Sequence, residues 1–314
     1  MQKNERSEIS HGIMFHHFHS SKHNKSQGSI SKKDLEDIID YLSKSFNILN
    51  AEDYTRKAYH KILNSNDICL TFDDALLCQY DIALPVLEKK GIQAYFFVYT
   101  SIFSDKPDNL EIFRYFRNNY YKKIDDFYEN FFNLFYKENP PLYKKSLQFV
   151  KKSKYLESFK FYSFNDRFYR YLRDNVLKKE LFENYMFKLI IQKNTRIEEI
   201  TPQLWINKKQ LLNIKNKNHS IGLHSHNHPT MIHRYSYNRQ KKEYDTNYSY
   251  ILKNLSYEPI SVSHPCGNYN EITLDILKNK GIKIGFRSNM DKLDNITNLE
   301  IPREDHINIL KEIK

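Results

Sequence analysis

A βαβ pattern near residue 70 constrains the fold of this chain more than any other feature. Residues 67–72 (DICLTF) form a short apolar run of the kind that becomes a buried strand, and residues 92–99 (IQAYFFVY) form a second one. Between them, residues 80–90 have the apolar spacing of an amphipathic helix, and Gly91 follows where a helix C′ residue is expected. Two buried strands joined by a helix through short connections make a parallel pair, so we predict an α/β protein.

The alternation of strands and helices breaks near residue 105. From there to residue 199 the chain is rich in Tyr, Phe, Lys and Asn, and its aromatic residues recur at helical spacing, as Phe127 and Phe131 do. We interpret 105–199 as a large helical insertion whose aromatic stripes form its core. The segments 1–104 and 200–314 are then predicted to form one domain.

Further strands and helices are predicted on both sides of the insertion. The additional strands are predicted at 12–19, 219–223, 260–264, 282–286 and 299–301. One additional helix is predicted to begin after Ser31, and three others are predicted at 208–216, 236–254 and 271–280. Acids and histidines follow several strands directly, namely Asp73, Asp74, His224 and His264. In parallel α/β folds the active site lies at the carboxyl ends of the strands, so we expect these side chains to meet there.

The composition narrows the cellular setting and the class of partner. The 314 residues include 49 basic and 38 acidic side chains, a net charge of +11, but the lysines are mixed with acids along the chain. We therefore expect no nucleic-acid partner, and we leave open an anionic substrate or a peripheral contact with acidic lipid headgroups. No apolar run approaches the roughly 18 residues of a membrane helix. The first ten residues lack an apolar signal core and three cysteines are too few for a disulfide framework, so we expect a cytoplasmic protein.

The first chemically informative cluster is Thr71-Phe72-Asp73-Asp74, at the end of a predicted strand. Adjacent buried carboxylates are unfavourable unless a positive group lies beside them, and a divalent metal would serve, with one Asp as ligand and the other as base. The alternative is a helix N-cap pair, since Asp is favoured where a helix begins. Taken alone, the motif favours the N-cap.

The second cluster is the segment 224–229, His-Ser-His-Asn-His-Pro. A spacing of four places His224 and His228 on one face of a helical turn, or of a tight loop of similar pitch. Two imidazoles and one carboxylate make a three-ligand site for zinc or a similar ion, with a position open for water. A surface histidine cluster is the less favoured alternative, because the segment follows a buried strand.

Together the two clusters predict a metal centre made of Asp74, His224 and His228, with Asp73 as general base. A bound metal lowers the pKa of its water and polarises a carbonyl oxygen, which suits hydrolysis of an amide or an ester. The prediction requires two segments about 150 positions apart to meet around one cation.

These motifs resemble those of the polysaccharide deacetylases of carbohydrate esterase family four, the NodB-homology superfamily. Thr71 to Asp74 matches the family's TFDD motif, and Gly91 to Val98 (GIQAYFFV) resembles the strand that follows it. His224 to Pro229 meets the H-[ST]-x-x-H-P motif in full. The resemblance covers roughly 11–104 and 200–305.

The resemblance implies a fold and a set of roles. The fold is a distorted (β/α) barrel of about seven parallel strands. In the family the first Asp is the catalytic base and the second Asp and two His hold the metal, which implies these roles for Asp73 and for Asp74, His224 and His228. The implied cofactor is a divalent metal, zinc first, with cobalt, manganese or nickel as alternatives.

The family's third motif, R-x-P-Y-G or a P-Y-G variant, is altered in this chain. Here the sequence is His264-Pro265-Cys266-Gly267, so Pro265 and Gly267 match, Cys266 replaces the aromatic residue, and the arginine that would orient the base is absent. We expect a backbone N–H of Cys266 or Gly267 to donate to the tetrahedral oxyanion, because that contact needs no particular side chain. For the Cys266 thiol we favour a buried, inert group over a nucleophile.

The general acid is the remaining role. Many family members use a late histidine to protonate the leaving amine, and His306 is the only late candidate, so we assign it this role against the alternative of an exposed residue near the C-terminus. Arg303 and Glu304 are taken as residues that shape the site instead. His16, His17 and His19 are taken as polar strand residues without an assigned role.

The expected function is a metal-dependent hydrolase that removes N-acetyl or O-acetyl groups from a carbohydrate. The expected substrate is a cytoplasmic precursor of a surface polysaccharide, linked to phosphate or lipid. Two alternatives stay open: a catalytically impaired metal- or glycan-binding protein of the same fold, and a hydrolase of a non-sugar amide. The oligomeric state and the role of the insertion stay open as well.

Overall fold

The longer strands of this chain are buried and mostly apolar. The structure, a computed structural model, describes residues 9–157, 162–293 and 297–314. The strands of these ranges are β1 His11–Phe15, β2 Asn47–Ile48, β3 Asp67–Phe72, β4 Tyr95–Val98, β5 Ser220–Leu223, β6 Ser261–Ser263, β7 Ile284–Phe286 and β8 Arg303–Asp305.

Helices connect the strands and fill the insertion. The α-helices of the described ranges are α1 Lys32–Leu42, α2 Ala51–Tyr59, α3 Leu84–Lys90, α4 Leu110–Asn119, α5 Ile124–Glu138, α6 Pro140–Lys152, α7 Phe164–Tyr171, α8 Lys179–Gln192, α9 Ile197–Ile200, α10 Lys208–Asn216, α11 Tyr237–Leu255, α12 Glu271–Asn279 and α13 His306–Ile313. None of the described helices is both long and apolar enough to cross a membrane.

The sheet is parallel throughout and nearly closes on itself. Its strands lie in the order β8-β1-β3-β4-β5-β6-β7, with β2 paired to the start of β3. At the far edge, Phe286 of β7 forms a parallel bridge with Ile301, and the Ile301 N–H donates to the Gly285 carbonyl at 2.8 Å. This confirms the predicted distorted (β/α) barrel of about seven strands.

Closure of the barrel depends on a glycine. A Cβ at Gly285 would lie 2.5 Å from the carbonyl oxygen of Leu299, so only a residue without a side chain lets the two segments approach. A buried aromatic cluster lies next to this junction, where the Tyr95 ring packs 5.8 Å from Phe97 and 5.2 Å from Phe286. Large rings therefore fill the core while the backbone meets at the glycine.

The chain divides into two compact units. The first consists of residues 1–25, 29–108 and 205–314 and contains the barrel, and the second consists of residues 26–28 and 109–204 and contains α4 to α9. The residues predicted as a helical insertion, 105–199, fall mostly in the second unit.

The second unit has the aromatic core that its helical spacing predicts. Phe127 and Phe131 of α5 are fully buried, and their rings lie 5.4 and 4.9 Å from that of Tyr169 on α7. The start of α7 is fixed by a capping box in which Ser163 and Asp166 bond to each other's backbone. Burial of these rings explains why the segment folds as helices packed on one another.

Local signals give several element ends, but the strand predicted at 12–19 ends at Phe15, so His16, His17 and His19 lie beyond it, and a second strand prediction is wrong. Ser31 begins α1 through a capping box, and Gly91 ends α3 in the left-handed conformation, as expected. The strand predicted at 299–301 is absent apart from the bridge at Ile301. The Glu300 carboxylate accepts hydrogen bonds from the Thr297 N–H and hydroxyl, and these hold a turn there, so the last strand forms four residues later, as β8.

Candidate active site

Two adjacent carboxylates lie at the carboxyl end of β3. Asp73 is almost fully buried and faces Arg303 of β8, with Nη1 2.8 Å from Oδ1 and Nη2 2.8 Å from Oδ2. The Ser263 hydroxyl donates to Oδ2 at 3.0 Å. Burial alone would raise the pKa of Asp73, but the charges of Arg303 and His224 bring it down to about 2, so the carboxyl group is ionised.

The arginine missing from the third motif is therefore supplied by a different strand, which corrects the prediction of its absence. Arg303 is 1% exposed and also donates to the Thr71 hydroxyl and the Arg287 carbonyl. In the sheet β1 lies between β8 and β3, and a Cβ at Gly12 would lie 3.0 Å from Arg303 Cγ. Gly12 thus leaves the space through which the side chain passes to Asp73.

Asp74 faces two histidines instead. Its Oδ1 lies 3.4 Å from Nε2 of His224 and 3.4 Å from Nε2 of His228, and one ligand atom from each residue lies within 4.8 Å of the other two. The His224 Nδ1 lies 2.8 Å from the Ser263 carbonyl oxygen, which puts the proton on Nδ1 and the lone pair on Nε2. The three predicted metal ligands do come together.

This donor set fits a divalent cation. Asp74 Oδ1 is buried and accepts no hydrogen bond from the residues that the structure describes, an unfavourable state that a cation would relieve. Burial lowers the pKa of His228 to about 4, so its imidazole is neutral, as a metal ligand must be. Burial also lowers the pKa of His224, but the neighbouring carboxylates of Asp74 and Asp73 have the larger effect and raise it overall. A cation would therefore compete with the additional proton that this imidazole binds.

The backbone is strained at Asp74 and in the loop that carries His224 and His228. Asp74 has a φ of 77°, Ser225 of 61° and His228 of 48°, all in the left-handed region that residues with a side chain rarely occupy. The histidines lie in a tight loop rather than in a helix, and the two left-handed residues of that loop fold it back so that His224 and His228 face the same point. Such strain persists only where surrounding contacts enforce it.

Helix α11 supplies those contacts. Asn247 accepts the His224 N–H at 2.9 Å and donates to the Val98 carbonyl at 2.9 Å. One turn earlier, Glu243 accepts the N–H groups of His226 and Asn227, at 3.1 and 2.8 Å. The helix therefore anchors the loop to β4 and fixes the backbone on both sides of Ser225.

The altered third motif forms a short 3-10 turn, Pro265–Gly267, after β6. The Gly267 N–H donates to the His264 carbonyl at 2.8 Å, so this predicted oxyanion donor is engaged within the turn. The Cys266 side chain is exposed, which corrects the expectation of a buried thiol. The reason is the turn itself, since Cys266 occupies the left-handed region with a φ of 53° where the chain bends at the surface.

Two histidines outside the metal cluster bear on the general acid. His306 begins α13 and is buried rather than exposed, with its Nδ1 2.9 Å from the Met14 carbonyl oxygen and its ring stacked on Phe15. His16, which sequence reasoning left without a role, has its Nε2 3.8 Å from Asp73 Oδ2 and is 30% exposed. The sequence feature that indicates a role for His16 is its position directly after β1, at the same sheet edge as Asp73.

The fold and the site together define a class of hydrolase, and sequence comparison agrees. The chain matches the family model for polysaccharide deacetylase over residues 60–115 and 163–285, more than half of its length. It belongs to the polysaccharide deacetylase family, whose members are hydrolases that deacetylate carbohydrates. The predicted resemblance is confirmed.

Solved structures of deacetylases share the fold. Streptococcus pyogenes deacetylase PplD is 17% identical with a TM-score of 0.54, and 98% of each chain is covered. IcaB from Ammonifex degensii is 13% identical with a TM-score of 0.58 and 97% coverage of each chain. The BpsB deacetylase domain from Bordetella bronchiseptica is 12% identical with a TM-score of 0.53 and 94% coverage of each. At these identities the likeness concerns the fold alone, and a search of curated proteins gives no match.

Proposed function

We propose that this protein is a metal-dependent carbohydrate deacetylase in which Asp74, His224 and His228 hold one divalent cation. Zinc is the first candidate, followed by cobalt, manganese and nickel. The observation that carries the proposal is the buried Asp74 Oδ1, which has no hydrogen bond among the described residues and lies 3.4 Å from two imidazole nitrogens. When bound, such a cation lowers the pKa of a water molecule and polarises the acetyl carbonyl.

Asp73 is the proposed general base. The bidentate contact with Arg303 fixes the plane of its carboxylate and keeps it ionised, which a proton acceptor requires. The Ser263 hydroxyl holds the same carboxylate from a second side. Asp73 is thus positioned beside the cation ligands without being one of them.

Two further groups complete the proposed chemistry. The Cys266 N–H, in the turn that follows β6, is the proposed donor to the oxyanion of the tetrahedral intermediate, a contact that needs no particular side chain. His16 is the proposed acid for the leaving amine, because it reaches Asp73 from the solvent-accessible side. His306 stays a prediction for this role, and the kinetics of His16→Gln and His306→Gln separate the two.

The proposed substrate is an acetylated saccharide that is linked to phosphate or lipid, a cytoplasmic precursor of a surface polysaccharide. The net charge of +11 supports a substrate that carries negative charge. The donor set suits an N-acetyl amide or an O-acetyl ester equally, because both present a polarisable carbonyl.

Metal content and acetate release test the proposal together. We expect about one metal ion per purified chain, its loss in His228→Ala, and its retention in Asp73→Asn, which should release no acetate from N-acetylated oligosaccharides. Absence of metal from the wild-type protein, even after incubation with zinc, would overturn the site. Stoichiometric metal without acetate release from any acetylated sugar would favour the alternative of a binding protein.

A further inference from the structure

One face of a helix in the second unit carries charge that the proposed active site does not use. Helix α6 buries Ser146 and Val150 on its inner side. Its outer side presents four exposed lysines, which we call the lysine face: Lys144, Lys145, Lys151 and Lys152. The two pairs are seven residues apart, two helical turns, so they lie in line with about 10 Å between them.

The segment that carries the lysine face has basic residues and no acidic ones. From residue 139 to residue 156 the sequence has five lysines and no acidic residue. Within the described ranges no lysine of this face takes part in an ion pair, whereas exposed Lys33, Lys188 and Lys241 each contact a carboxylate. The helix dipole favours Lys151 and Lys152 in the last turn, but it gives no reason for Lys144 and Lys145.

An exposed aromatic residue adjoins this face. The side chain of Phe149 is 51% exposed, and its ring stacks on Tyr171 at 4.9 Å, so it is held at the surface. Lysines together with an exposed phenylalanine on a helix that lies along a surface are typical of binding to the headgroup region of anionic bilayers. The long lysine side chains can extend from the helix towards a plane of phosphates.

We propose that the lysine face docks this protein on an anionic lipid surface, with Phe149 entering the headgroup region. Basic residues near a negative bilayer each contribute a similar electrostatic attraction, so four of them account for roughly a thousandfold in partitioning. The proposal does not depend on deacetylase activity, because none of these residues belongs to the site described above.

Vesicle co-sedimentation of the full chain tests the proposal. We expect binding to vesicles with 30 mol% phosphatidylglycerol but not to pure phosphatidylcholine, and weakening of that binding as salt rises. The partition coefficient of the variant K144Q/K145Q/K151Q/K152Q on the anionic vesicles should be roughly a thousandfold lower than that of the wild type. The variant K44Q/K209Q/K253Q/K278Q, which removes the same charge from exposed positions of the first unit, should bind as the wild type does.

Three outcomes would overturn the proposal. Equal loss of binding in both quadruple variants would show that net charge, and not this face, attracts the vesicles. Wild-type protein that ignores anionic vesicles would exclude a lipid partner. Binding of the wild type to linear polyphosphate or single-stranded DNA, lost in the α6 variant, without vesicle binding would reassign the face to an anionic polymer. Equal thermal melts of the three proteins establish that the variants are folded.

Discussion

At the scale of single residues, Arg303 and Asp73 form a buried ion pair. Removing two charges from water is unfavourable, and the pair is tolerated because both carboxylate oxygens are bonded and the guanidinium has three further acceptors in Thr71, Ser263 and Arg287. Such a pair contributes little net stability compared with apolar residues, but breaking it leaves one buried charge alone. The bidentate geometry of the pair therefore favours a role in orienting Asp73 rather than in stability.

The first prediction concerns this pair. Arg303→Met should lower the free energy of unfolding by about 3–5 kcal/mol, because it leaves the Asp73 carboxylate buried without its counter-ion. Asp73→Asn/Arg303→Met removes both charges and should recover part of that loss. Urea denaturation of the wild type, both single variants and the double variant measures the coupling. A double variant that loses the full sum of the two single effects would contradict the view that the charges depend on each other.

The second prediction separates the two candidate acids. His16→Gln should lower kcat by about 10²–10⁴, the range expected for loss of a general acid, with metal content unchanged. His306→Gln should lower stability by about 1 kcal/mol, since it loses a hydrogen bond to Met14, and should change kcat only a few-fold. Steady-state kinetics and denaturation of both variants decide the matter. The opposite pattern would return the role of acid to His306.

At the scale of elements, α11 acts as a scaffold for the loop 224–228, which we call the ligand loop. Asn247 and Glu243 lie four residues apart, so both side chains project from the same face of the helix. Both accept hydrogen bonds from backbone N–H groups of the loop and do not contact the rings of His224 and His228 in these bonds. Their hydrogen bonds satisfy the N–H groups of His224, His226 and Asn227. The helix thereby holds a conformation that the loop would not adopt in isolation.

The third prediction follows from this scaffold. Asn247→Ala should weaken metal binding by about 10–100-fold, because groups that orient metal ligands have effects of that size. The matched control is Gln240→Ala, which removes another fully buried amide of α11 that contacts Tyr235 and Thr273 instead of the ligand loop. Chelator competition and the visible spectrum of the Co²⁺ form report on the site itself. Equal changes in both variants would reduce the role of Asn247 to general stability.

The sequence predicts those parts of the site that lie within one continuous segment, but not the contacts between distant elements. The strand before Asp73 and the segment from His224 to His228 are continuous patterns, so their chemistry can be found without a structure. The contact of Asp73 with Arg303 joins residues 230 positions apart, and its sequence signal is only a glycine at position 12. Strand β8 has three residues, too few for a recognisable alternation, and the turn at Thr297 and Glu300 displaces it from the apolar run that predicts a strand.

At the scale of the whole molecule, the near-closed sheet brings distant segments to one edge. Asp73, His16, His224 and Arg303 come from four different parts of the chain and meet because their strands are neighbours or near neighbours in a parallel sheet. The same architecture buries histidines away from the site. His219, at the start of β5, is 4% exposed and accepts the Ala94 N–H through its Nδ1. A neutral imidazole buried in this way links folding to pH.

The fourth prediction is that His219 makes the folded protein less stable as the pH falls. Burial lowers the pKa of His219 from 6.5 to about 4, so below pH 6.5 the unfolded chain binds a proton that the folded chain does not bind, and stability falls as the pH drops towards 4. The loss attributable to this group approaches about 3 kcal/mol by pH 4 and is absent above pH 7. His219→Asn retains an acceptor for Ala94 and should flatten this part of the stability curve, as measured by urea denaturation at pH 7, 5.5 and 4. His60→Asn, at an exposed position, controls for loss of a histidine, and an unchanged acid slope in His219→Asn would exclude His219 as its source.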